Sequence, residues 1–94
     1  MNTNDEITWT YGLMKADGSM DTVMNKGPLP LSRIREVLGG EFTFVHFEDQ
    51  HRTVAAVLKN NEALPPNKHW PTLRGDVIIG KISGDDYVGM MGGM

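Results

Sequence analysis

Lys68, His69, Trp70 and Arg74 bring two cations, an imidazole and an indole into one short stretch of this 94-residue chain. An indole face stacks on a nucleobase, while arginine and lysine grip phosphate oxygens, so this set suits a nucleotide or a phosphorylated metabolite. The plainer alternative is that Trp70 plugs the rim of the core and the charges are solvated. Asn67 follows Pro65 and Pro66, where its amide can contact the same ligand or lock the loop by bonding nearby backbone. Trp9 and Tyr11 form a second candidate set, because an exposed aromatic patch anchors protein partners.

Other groupings carry less chemistry. His46 alternates with Phe42 and Phe44 and reads either as a base held against an apolar wall or as a satisfied core residue; Glu41 could converge with it as an acid/base pair. Glu48, Asp49 and His51 offer metal donors in one turn, but their spacing matches no ligand frame and a solvated hairpin tip explains them. Asp85 and Asp86 read as surface. No GxSxG elbow, HExxH pair, P-loop or GxGxxG is present, and the glycines are not spaced to cradle phosphate. No catalytic set, metal or cofactor is expected, and binding is favoured over catalysis.

Composition narrows the class. With 39% hydrophobic and 22% charged residues, the chain suits one soluble domain, residues 1–94, in which 1–6 and 89–94 are expected as flexible ends. No apolar run is long enough for a membrane span, and the polar, acidic start lacks an export pattern, so a cytoplasmic location is expected. The absence of cysteine removes disulfides, thiolate metal sites and thiol catalysis. A net charge of −3 disfavours general nucleic-acid binding, yet the acidic residues are too scattered to imitate a duplex.

The elements that must position these residues follow from periodicity. Ile7, Trp9, Tyr11 and Leu13 alternate with Thr8, Thr10, Gly12 and Met14 as a strand, and Asp17-Gly18 turns it into a returning arm through Met20, Thr22 and Met24. Pro28 and Pro30 end that pairing. Ser32 is the expected N-cap of a two-turn helix with Leu31, Ile34, Val37 and Leu38 on one side, Arg33 and Glu36 outside, and Gly39 closing it. Strands are expected over residues 41–47, 53–58 and 76–82, with a structured Asn/Pro loop over 60–72. The expected fold is α+β, one curved, mostly antiparallel sheet of about five strands with one short helix.

That architecture leaves one face of the sheet uncovered. Residues 41–47 and 53–58 are apolar on both sides, and a two-turn helix hides one of them. Strong curvature would meet the need, alone or with a homodimer that buries sheet against sheet. A third route is the tail, with Met90, Met91 and Met94 packing on Met14, Met20 and Met24 of the first hairpin.

The run Leu38, Gly39, Gly40, then Leu64, Pro65, Pro66, Asn67, then Gly75 to Gly80 resembles a family of small phage and prophage proteins that is a domain of unknown function. In that pattern a helix ends on Gly-Gly, a strand follows, and a Leu-Pro-x-Asn segment precedes a Gly-started apolar strand. An aromatic residue usually follows the glycine pair, with a glutamate two places later; this chain has Glu41 and Thr43 there. The resemblance implies no activity, but a phage setting implies an inhibitor that binds and neutralises a host protein. A sponge for a small anionic, nucleotide-like ligand and a small hydrolase are the alternatives.

Overall fold

The computed structural model describes residues 3–93. Strands β1 (Thr8–Met14) and β2 (Met20–Lys26) form the expected hairpin, preceded by a 3-10 turn at Thr3–Glu6. Its tip is set by Asp17, whose carboxylate accepts from the Ser19 N–H at 2.8 Å and hydroxyl at 2.6 Å, while Gly18 takes φ +96°. Those bonds to the charged form hold the Asp17 carboxyl below its ordinary pKa.

Helix α1 spans Leu31–Leu38. It starts from Pro30 rather than from a Ser32 cap: Pro30 is already extended, its carbonyl accepts from the Arg33 and Ile34 amides at 3.0 and 3.1 Å, and no side chain among the described residues caps the end. Ser32 therefore sits inside the first turn. Leu31, expected on the apolar side, is 54% exposed, and Ile34 and Leu38 carry the burial. Gly39 closes the helix in the left-handed region at φ 88°, its N–H on the Arg35 carbonyl at 2.7 Å.

Strands β3 (Phe42–His46), β4 (Thr53–Leu58) and β5 (Val77–Ser83) meet the expectation, and β6 (Asp86–Gly89) and β7 (Met91–Gly93) add to it. Among the described residues the sheet has seven strands, all pairs antiparallel, in the order β2-β1-β5-β4-β3 with β6 on β5 and β7 on β1. β1 and β5 pair only where Gly12, Leu13 and Met14 meet Ile79, Ile78 and Val77. Beyond that they diverge. The C-terminal segment fills the fork, β6 along β5 and β7 along the Thr8, Trp9 and Thr10 arm of β1, with Met90 at the bend.

Glycine permits this insertion. A Cβ on Gly89 would fall on the Thr10 backbone, one on Gly80 would meet the Val88 carbonyl oxygen at 2.6 Å, and one on Gly92 would meet the Trp9 ring at 2.7 Å. The same glycines conceal the strand signal in the sequence.

Each face of the sheet buries a cluster. Tyr11, Leu13, Val54, Ala56, Ile78 and Tyr87 pack under α1, with Ile34 and Leu38 above them. Ala55, Val57, Val77 and Ile79 form the opposite cluster, against which Trp70 and Leu73 of the Asn/Pro loop pack together with Phe47, Met14 and Met90. The loop covers the second face of the strands whose two apolar sides called for a cover, a role expected of curvature, a second copy or the tail. The tail does lie on the first hairpin, but through β7–β1 backbone pairing; of its thioethers Met90 is packed, Met91 is 72% exposed, and Met94 lies outside the described residues. Among the described residues, no helix is long and apolar enough to cross a membrane.

Candidate binding surfaces

The loop carrying Asn67, Lys68, His69, Trp70 and Arg74 is organised around Asn67, which is fully buried. Its Nδ2 donates to the carbonyls of Met14 and Gly75, both at 2.9 Å, and its Oδ1 accepts from the His69 and Trp70 amides at 2.9 and 3.4 Å. Its own amide donates to Leu73 at 2.8 Å. Every polar atom of that side chain serves the backbone, so Asn67 locks the loop to β1 and presents nothing to a ligand.

The other members separate. Trp70 lies against Phe47 with ring centroids 5.7 Å apart and packs on the second cluster. His69 lies against Trp70 at 6.0 Å, and its Nε2 is buried without a hydrogen-bond partner among the described residues. Lys68 lines a groove of about 700 Å³ with Lys15, Asp17, Pro66 and Asp76, where the charges balance. Arg74 lines a different groove of about 470 Å³ with Thr43, Leu58, Lys59 and Leu73, its Nη1 held by the Leu64 carbonyl at 3.0 Å. Lys68 and Arg74 therefore line different grooves, and Trp70 packs on the core instead of joining them around one nucleobase and its phosphate. The sequence reading paired Arg74 with its neighbours in the chain and missed Lys59, which only the fold brings beside it.

Tyr11 is also displaced from its expected role, since it is fully buried rather than part of a surface patch. Its hydroxyl donates to the Tyr87 carbonyl at 2.7 Å and accepts from the Leu29 amide at 2.9 Å; the Tyr87 hydroxyl lies 2.9 and 3.0 Å from the Val54 and Ile78 carbonyls. Burial pushes the Tyr11 phenol up to about 12, against the Leu29 bond and with help from the Asp86 charge; burial raises Tyr87 further. Trp9 is half-buried, packed on the helix-side cluster.

The remaining chemical readings do not assemble either. Glu41 pairs with Arg35 at 3.3 Å, just before β3, while His46 is exposed at the other end of that strand, roughly 16 Å away at strand rise. Asp49 accepts from the Thr53 amide and hydroxyl at 2.9 and 2.7 Å, bonds that lower its pKa and define the β3–β4 turn. No group of three metal-ligating side chains occurs among the described residues.

What the surface offers instead is apolar. On the second face, direct register aligns Met24 of β2, Thr10 of β1 and Met91 of β7 in one row, and Met20 stands opposite Met14 further along the same face. Directly paired residues point to one side of a sheet, so Met20, Met24 and Met91, exposed at 66, 62 and 72%, share the half of that face left open by the Asn/Pro loop. The returning arm already carried Met20 and Met24 at strand spacing, but the strand that holds Met91 is one the sequence does not announce. Comparison with protein-family models, curated proteins and solved structures found no match.

Proposed function

We propose that this is a non-catalytic binding protein that acts by covering part of another protein's surface. The observation that carries this reading is the set of Met20, Met24 and Met91 exposed on one half of a sheet face. Thioether side chains are unbranched and polarizable, so a methionine surface adapts to a partner without one fixed shape. The phage-type resemblance around Leu38, Gly39 and Gly40 adds the direction of the effect, neutralisation of a host component.

The test incorporates a photoreactive methionine analogue into the chain in bacterial cells and compares it with the double variant Met24→Lys, Met91→Lys. A discrete adduct with one protein, lost in the double variant, supports the reading. An adduct of two copies of this chain, or a pattern that the variant leaves unchanged, overturns it.

A second reading, a sponge for a small anionic ligand, is favoured by one observation, the meeting of Lys59 and Arg74 over an apolar floor of Val45, Val57, Leu58 and Leu73. Native mass spectrometry of gently purified protein would show a small added mass, absent from Arg74→Ala. A clean apo mass removes this reading.

A further inference from the structure

A separate groove of about 410 Å³ runs between the start of α1 and the β5–β6 turn. Its apolar surface comes from Leu29, Leu31, Phe44, Ile82 and Tyr87, with Leu31 and Ile82 exposed at 54 and 41%. Its rim carries Asp5, Asp85 and Asp86, and no lysine or arginine lines it among the described residues. The nearby helix arginines are engaged, Arg33 with Glu36 at 3.1 Å and Arg35 with Glu41. An apolar trough rimmed by the carboxylates of Asp5 and Asp85 complements one chemistry, a hydrophobic anchor flanked by cations.

We propose that this groove docks a basic segment of a partner protein, which inserts one large apolar side chain and sets arginine or lysine against the acidic rim. The site is preorganised. Leu29 is held by the Tyr87 carbonyl at 3.0 Å and the Tyr11 hydroxyl, and the Phe44, Tyr87 and Tyr11 rings touch in sequence as tilted pairs with centroids 4.9 and 5.5 Å apart, so the floor persists without an occupant. Phe44 adds an aromatic face on which a guanidinium can lie. An anionic ligand or an anionic membrane surface would meet repulsion from the same rim.

The experiment uses the full chain and a short peptide alternating Leu and Arg, with a Leu/Glu peptide and spermidine as controls, read by fluorescence anisotropy and amide chemical shifts. Binding of the Leu/Arg peptide with shifts centred on Leu31, Ile82 and Asp85 is expected, weakened about tenfold by the pair Asp5→Asn, Asp85→Asn and comparably by Ile82→Ser. Equal binding of spermidine, binding of the Leu/Glu peptide, or no binding overturns the proposal. So do shifts scattered over all acidic surfaces. Because the groove lies on the helix side of the sheet and the exposed methionines on the other, the Met24→Lys, Met91→Lys variant is expected to keep the peptide, which separates failure here from failure of the proposed function.

Discussion

At the residue scale, Asn67 shows how a polar side chain that looks available for a ligand can be consumed by its own loop. Replacing it with alanine leaves the Met14 and Gly75 carbonyls and the His69 amide without their partner in a buried setting. The expected loss is about 3 kcal/mol, read as a lower urea midpoint with an unchanged slope. The tyrosines give a pH signature. Both tyrosines of the chain are buried with raised pKa values, so the folded state holds neutral phenols that the unfolded chain releases near the ordinary value of 10.0. Stability conferred by the neutral form is complete below that pH and falls as pH rises through it. Phenolate absorbance is expected to stay silent at pH 10 while the protein is folded and to appear together with cooperative unfolding at higher pH. A gradual phenolate signal in folded protein would show that these hydroxyls are reachable by solvent.

At the element scale, the C-terminal β6–β7 segment completes the sheet where β1 and β5 part. It contributes Tyr87, whose ring and hydroxyl join β4, β5 and β1. The segment is therefore a structural wedge, and its tightest point is Gly89 against the Thr10 backbone. Gly89→Ala is expected to destabilise by about 4 kcal/mol or more, because backbone atoms cannot yield as a flexible side chain can; thermal unfolding of the variant measures it. Gly39→Ala offers the contrast. Nothing lies within 4 Å of its added Cβ, so the cost is confined to the left-handed backbone and is expected near 1 kcal/mol.

At the scale of the whole molecule, one face of the sheet is shielded by α1 and the other is divided. The Asn/Pro loop shields β3, β4 and β5 through Trp70 and Leu73, while β2, β1 and β7 leave Met20, Met24 and Met91 in solvent. If that open half serves a partner rather than the core, Met24→Lys, Met91→Lys will change stability by no more than about 0.5 kcal/mol while abolishing the cross-linked adduct. Trp70→Ala is expected to behave oppositely, lowering stability by about 3 kcal/mol through loss of the Phe47 contact and the cover over Val57 and Val77. Equilibrium denaturation of both variants distinguishes the surface that binds from the surface that packs.

Local rules settled what depends on neighbours in the chain. Alternation determined β1, short apolar runs of strand length determined β3, β4 and β5, Asp17-Gly18 determined the first turn, and Gly39 determined the end of α1, because each follows from backbone geometry and side-chain pattern within a few residues. The start of α1 was less legible, since Pro30 and Ser32 both satisfy a local rule and the carbonyl of Pro30 prevailed. Contacts between distant residues decided the rest. Tyr11 became a core hydroxyl because Leu29 and Tyr87 meet it, Asn67 a lock because Met14 lies beside it, and residues 91–93 a strand because β1 offers an unpaired edge. Burial and hydrogen-bond partnership are properties of the assembled sheet, so residue type could nominate the aromatic and basic candidates, but only the tertiary fold determined which of them faces a ligand, a partner or the core.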